Sequence, residues 1–307
     1  MTTEQLNINA QNTNILDFGI LTLATKNDYL KAIALALSLR VSNPGVPIAI
    51  ACSKKVGELV APYFDYVIEE QAGLKGFVHK VYLDIYSPFK NSVFFDSDVL
   101  VFRAVKPYAD AWSDQAYCAI GTYFTDGIGS FGLDRVNILK KINKPKLVEL
   151  GGAGHAFFKK PQCSAVFDLA REVTANYHEI AGGIPYADED VMNIVMTQMD
   201  LHPIENDATF MSRYFSAKFG TMKMDAAKGS CSYVWVDNGQ LLKPCMTHFA
   251  CNEAPFAYTY QMYKLFKKFN VPTKGLFKLA VHDGYELYIK NRLHPLVSKL
   301  RRIFKAK

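Results

Sequence analysis

Residues 92–103 read Ser-Val-Phe-Phe-Asp-Ser-Asp-Val-Leu-Val-Phe-Arg. Val93, Phe94 and Phe95 form a short unbroken apolar run, the pattern of a strand buried on both faces of a parallel sheet. The run stops at Asp96 and Asp98, and residues 99–102 resume it at once with no helical periodicity. An Asp-x-Asp pair commonly starts a turn or caps a helix. A strand–carboxylates–strand layout points instead to a site, because open α/β sheets hold ligands at the carboxyl ends of their strands. Two acids beside a hydrophobic core are costly unless a cation or hydrogen bonds compensate them, and a divalent metal is the obvious compensator.

Working back from this stretch, residues 18–24 are predicted as a first strand. A polar connection, Thr25 to Asp28, leads into a helix whose Leu30, Ile33, Ala34 and Leu37 recur at i, i+3, i+4 and i+7. Asn43, Pro44 and Gly45 end it. Residues 47–51 read as a strand, 56–63 as a short helix and 65–68 as a strand. A helix opening at Gly76 is predicted to bury Val78, Val81, Tyr82 and Ile85 before Ser87 and Pro88 close it. Strands alternating with helices of this length predict right-handed βαβ units and a mostly parallel sheet, the class of a Rossmann-like nucleotide-binding half.

Forward of the stretch, residues 117–122 are strand-like and 156–158 form a strand after Gly151, Gly152, Ala153 and Gly154, where missing side chains would let a ligand approach the backbone. Residues 162–180 read as one amphipathic helix. Asp188, Glu189 and Asp190 stand at the start of another helix, where acids complement the macrodipole and Asp188 would cap. Residues 209–230 are irregular and read as a mobile lid. Strands are expected at 232–236 and 244–248, and helix from Pro255 onward.

Composition bounds the class. The chain has 307 residues, half of them apolar, enough for one large α/β domain. Its six cysteines are scattered, with no Cys-x-x-Cys pair, which reads as reduced thiols in a cytosol. Residues 1–14 are polar, without the pattern of a signal peptide, and 1–15 read as a flexible tail. No apolar run approaches a membrane span. The net charge of +6 is carried by the end of the chain: residues 274–307 hold nine Lys and Arg against two acids. There Leu296, Leu300, Ile303 and Phe304 share a helical face opposite Lys299, Arg301, Arg302, Lys305 and Lys307, as in a segment lying on an anionic membrane surface. The expected location is cytoplasmic, peripheral on the inner face of a membrane. Nucleic acid is not expected as a partner, since the basic charge is terminal and no binding motif accompanies it.

Four islands, in this order and spacing, resemble the family 8 glycosyltransferases, the group of glycogenin and the bacterial lipopolysaccharide galactosyltransferases. They are residues 23–29, Lys80 with the Asp96-Ser97-Asp98 motif, Asp188-Glu189, and His248-Phe249. The resemblance covers roughly residues 18 to 256. It implies a GT-A fold and a retaining transfer of a hexose from a UDP-sugar to a carbohydrate or lipid-linked glycan acceptor. By that resemblance Leu23, Ala24, Thr25 and Tyr29 lie at the nucleotide, with Lys80 and Ser97 beside the donor. Asp96, Asp98 and His248 hold Mn(II) or Mg(II), and two carboxylates plus one imidazole suit such an ion, the nitrogen favouring manganese. Asp188 binds sugar hydroxyls and Glu189 faces the anomeric carbon. The plain alternative for Lys80 is an i, i+4 pair with Asp84. The implied domains are a tail at 1–15, a catalytic domain at 16–260 and a basic helical extension at 261–307.

The sequence departs from the family where its Gly and phosphate-contacting Lys after His-Phe become Cys251 and Ala254, which leaves a basic residue of the 209–230 stretch to take the lysine's place. A sugar-nucleotide or glycan-binding module without catalysis is the non-enzyme alternative. A haloacid-dehalogenase-like phosphatase also ends a strand in Asp-x-Asp, but on its first strand, whereas about eighty structured residues precede this one.

Overall fold

A computed structural model describes residues 16–151 and 154–290. The tails at 1–15 and 291–307 and the glycine-rich pair Gly152 and Ala153 lie outside the described residues, and with them the expected amphipathic face from Leu296 to Phe304. The chain forms two compact units. One comprises residues 16–32, Gly45–Ser97 and Val105–Asp207; the other comprises Ile33–Pro44, Asp98–Ala104 and 208–290.

The first unit is built on a six-stranded sheet in the order Tyr66–Glu69, Ile48–Cys52, Leu16–Ala24, Phe89–Phe95, His155–Lys159, Tyr117–Cys118. The first four strands are parallel, and the last two pairings are antiparallel. Ile48–Cys52 is buried at every position, as expected for a strand covered on both faces. Gly19 sits against Phe89, whose ring carbons would lie 2.4 Å from any Cβ at position 19, so no side chain fits there without displacing the ring. Phe158 and Phe167 meet edge to face at 5.3 Å between sheet and helix, a geometry aromatic pairs favour.

Three local expectations are corrected here. The segment from Gly76 is a 3₁₀ helix, Gly76–Tyr82, followed by a short α-turn, Leu83–Tyr86. Three residues per turn keep Val78 and Val81 on one side, but the change of pitch turns Ile85 outward, 52% exposed, while Leu83 and Tyr86 are buried. Residues 162–180 hold two helices, Ser164–Ala175 and Tyr177–Ile180, joined at Asn176. The run at 117–122 splits into Tyr117–Cys118 and Gly121–Phe124, the latter pairing with Leu147–Leu150 in a separate two-stranded sheet.

In the second unit Met246–His248 is the middle strand of three, parallel to Met211–Arg213 and antiparallel to Val99–Val101. Every residue of Val99–Val101 and Met246–His248 is buried. A second sheet joins Lys223–Asp225, Ser230–Val234 and Leu241–Leu242, all antiparallel. The helix Pro255–Lys268 buries Tyr258, Met262, Leu265 and Phe266, and Tyr258 stacks on Phe249 at 4.4 Å. The stretch at 209–230, expected as an irregular lid, contributes a strand to each sheet.

Candidate active site

In the first unit the strand Phe89–Phe95 delivers Asp96 at its carboxyl end, where the Asp96 N–H donates to the Gly154 carbonyl at 3.0 Å. Lys80 reaches this carboxylate, with Nζ 2.9 Å from Oδ1 and 3.1 Å from Oδ2, and lies 3.0 Å from Asp188 Oδ2. Burial alone would push the ammonium's pKa down. The two carboxylates reverse this, and the pKa is raised. The i, i+4 pair expected between Lys80 and Asp84 is therefore not made. Asp84 is held by Arg171 at 2.9 Å, and that guanidinium also reaches Asp168 at 2.7 Å. A bidentate guanidinium suits a carboxylate better than a point charge does.

Asp188 opens the helix Asp188–Gln198, but Ala187 occupies the cap position, so Asp188 does not cap. Its carboxylate is turned to Lys80, and the three acids of the first turn complement the helix dipole. Glu189 is 6% exposed and Asp190 is 1% exposed. Asp190 accepts a hydrogen bond from Tyr177 Oη at 2.9 Å, yet burial pushes its carboxyl up to about 6. Lys80, Phe94, Tyr117, His155, Asp188 and Met192 line a cavity of about 20 Å³.

The first island of the sequence sits on the same unit. Leu23 and Ala24 end the strand Leu16–Ala24, Thr25 follows in the turn, and Tyr29 is the first residue of the helix Tyr29–Ser42. Asp28 Oδ1 accepts from the Thr25 backbone N–H at 2.5 Å and from Thr25 Oγ1 at 2.8 Å, while its Oδ2 accepts from Ser97 Oγ at 3.3 Å. Burial raises the Asp28 carboxyl's pKa despite these bonds. Ser97 thus ties the Asp-x-Asp turn to the end of the first strand.

In the second unit His248 pairs in register with Val99, and His248 Nε2 lies 3.1 Å from Asp98 Oδ1. The Phe249 N–H donates to the Asp98 carbonyl at 3.0 Å, so backbone as well as side chain joins the two. Asp96, Asp98 and His248 each offer a donor atom of a kind that binds metal ions. Arg213 pairs in register with His248 in the parallel direction, which sets both side chains on one face of the sheet. Sequence reasoning did not single out this arginine, because only strand register brings it there. Its guanidinium is ion-paired with buried Glu253. After His248-Phe249 the chain turns through left-handed backbone at Cys251 (φ 54°), Asn252 (φ 60°) and Ala254 (φ 45°). A glycine adopts such angles without strain, so the family's Gly at position 251 would fit where Cys251 stands.

No family model matches the chain, and no curated protein matches its sequence. Solved structures do. WbbM, a bifunctional glycosyltransferase, superposes with a TM-score of 0.56 at 13% identity over 88% of this chain, which spans 53% of WbbM. An active-site glutamine-to-glutamate mutant of LgtC superposes with a TM-score of 0.55 at 14% identity, covering 84% of this chain and 98% of that one. At these identities the likeness establishes the fold: the chain has the architecture of the GT-A glycosyltransferases, as its sequence resemblance implied.

Proposed function

We propose that the chain is a metal-dependent retaining glycosyltransferase that moves a hexose from a UDP-sugar to a carbohydrate or lipid-linked glycan acceptor. The observation that carries this reading is the 3.1 Å approach of His248 to Asp98 from a strand far along the chain. Asp96, Asp98 and His248 would hold Mn(II) or Mg(II), a donor set of hard oxygens and one imidazole that fits either ion. A divalent cation so bound supplies Lewis-acid neutralisation of the charge that develops on the departing diphosphate.

The remaining roles fall to the chain's own groups. Arg213, beside His248 on the sheet, is the basic residue we assign to the donor phosphates in place of the lysine absent at Ala254. A guanidinium serves that purpose as a planar fork. Lys80 neutralises Asp96 and Asp188 together and so fixes the start of the helix that carries Glu189. Asp188 orients sugar hydroxyls, and Glu189 is the carboxylate that stabilises positive charge at the anomeric carbon or attacks it in a retaining reaction. Leu23, Ala24, Thr25 and Tyr29 line the nucleotide, with Ser97 next to it. In this reading residues 16–260 are the catalytic domain and 261–307 an extension that meets an anionic membrane surface. Among the described residues no helix is long and apolar enough to cross a membrane.

Thermal stabilisation by a panel of UDP-sugars with and without manganese tests the reading. Manganese-dependent stabilisation that disappears in both Asp98→Ala and His248→Ala is expected. Stabilisation retained in both variants would reject the site. Slow hydrolysis of the stabilising donor by the native chain separates an enzyme from a glycan-binding module, which would bind without turnover.

A further inference from the structure

Beyond the other end of the strand pair Val99–Val101 and Met246–His248 lie Arg103 and Lys243. Arg103 Nη1 donates to the Lys243 carbonyl at 3.0 Å. Arg103 lies five positions after Asp98, roughly 15 Å of extended chain, so this end is a separate place. It opens into a cleft of about 530 Å³ in the second unit, lined among others by Arg103, Lys223, Asp225, Ser230, Ser232 and Lys243. That volume is within the range of small-molecule sites.

The lining is arranged by register. Lys223 pairs with Ser232, and Asp225 with Ser230, across the first antiparallel pair of the sheet. Leu242 pairs with Tyr233 across the second, and Lys243 follows directly after it. Lys223, Ser232 and Lys243 all line the cleft, so two lysines and a serine hydroxyl border the same space. The one acid of the lining, Asp225, is already matched by Lys264, 3.2 Å away on the helix Pro255–Lys268. The same helix braces the turn through Gln261, whose Oε1 accepts from the Ala226 N–H and whose Nε2 donates to the Met224 carbonyl, each at 3.0 Å. Three basic residues thus line one cleft, and among the described residues that line it the one acid is neutralised from outside.

We propose that this cleft is a binding site for a phosphate monoester. Such a group carries close to two negative charges near neutral pH and three acceptor oxygens, which match two ammoniums, a guanidinium and serine hydroxyls better than a singly charged carboxylate does. The phosphate can belong to a sugar or to a lipid headgroup, and the chemistry of recognition is the same. The site does not depend on the transferase reading, because none of its residues belongs to the Asp98–His248 end.

The experiment is calorimetric titration of the full chain with glucose 6-phosphate in the presence of EDTA, with glucose as control. Native protein and the Asp98→Ala variant are expected to bind the phosphate equally within about twofold, and the Lys223→Gln/Lys243→Gln double variant at least tenfold more weakly. Co-sedimentation with vesicles of phosphatidylcholine, with and without phosphatidic acid, forms the second arm. Phosphatidic-acid-dependent capture that the double variant loses, without binding of glucose 6-phosphate, assigns the phosphate to a lipid headgroup. Binding of neither probe, affinity unchanged in the double variant, or binding lost in Asp98→Ala would overturn the proposal.

Discussion

Lys80 and His248 each face an aspartate of the same three-residue motif, and they do so with different chemistry. On the first unit Lys80 is a half-buried ammonium, its pKa raised by the two carboxylates it meets, placed within about 3 Å of both Asp96 and Asp188. On the second unit Asp98 faces an imidazole, a group that is a ligand when neutral and a cation only when protonated. The difference gives the two aspartates of one motif different partners. The ammonium ties Asp96 to Asp188 on another element, whereas the imidazole beside Asp98 is a second donor of the kind that binds metal ions.

The strongest way to break this contrast is to remove the clamp. Lys80→Met leaves two carboxylates without their shared cation, and it is expected to cost about 3 kcal/mol of stability in urea denaturation. Asp98→Ala is expected to cost less than about 1 kcal/mol in the same measurement. Equal losses would show that the Lys80 clamp contributes no more to the fold than the Asp98–His248 pair does.

Asp190 sharpens the contrast, because it stands in the same helix turn as Asp188 but answers to a tyrosine. Its carboxyl is raised by burial to about 6, so the folded chain binds its proton more tightly than the unfolded chain does. That contribution is present below the unfolded pKa near 4 and is lost as pH rises through about 6. Asp190→Asn, which still accepts from Tyr177, is expected to be more stable than the native chain by about 2 kcal/mol at pH 7.5 and no more stable at pH 4. A gain of the same size at both pH values would contradict the assignment.

The smallest expected effect belongs to Arg213. Arg213→Gln is expected to weaken UDP binding with manganese about tenfold and, because buried Glu253 loses its ion partner, to lower folding stability by about 1 kcal/mol. UDP affinity unchanged in this variant would return the phosphate contact to another basic residue.

The pattern of residues 92–103 was enough to place a strand, two acids at its end and a second strand, and the Asp98–His248 approach follows the order of motifs along the chain. What the sequence left hidden depends on register and on competition between partners. Lys80 and Asp84 stand at i and i+4, but Arg171 offers Asp84 a two-pronged bond from a distant helix, and Lys80 gains more from meeting Asp96 and Asp188 together. Arg213 has no local signature, since its place beside His248 exists only once Met211–Arg213 pairs with Met246–His248. Ile85 went outward because a 3₁₀ turn changed the phase of an otherwise regular apolar pattern. The strand Leu147–Leu150 is buried at all four positions, yet Glu149 interrupts its apolar pattern and is accommodated by Arg135 at 2.7 Å.

Direct measurement of Mn(II) binding by electron paramagnetic resonance, in the presence of UDP, bears most closely on the central claim. The native chain is expected to bind one manganese ion, with His248→Ala and Asp98→Ala each weakening it at least tenfold and Lys223→Gln leaving it unchanged. Manganese held as tightly by His248→Ala as by the native chain would contradict it.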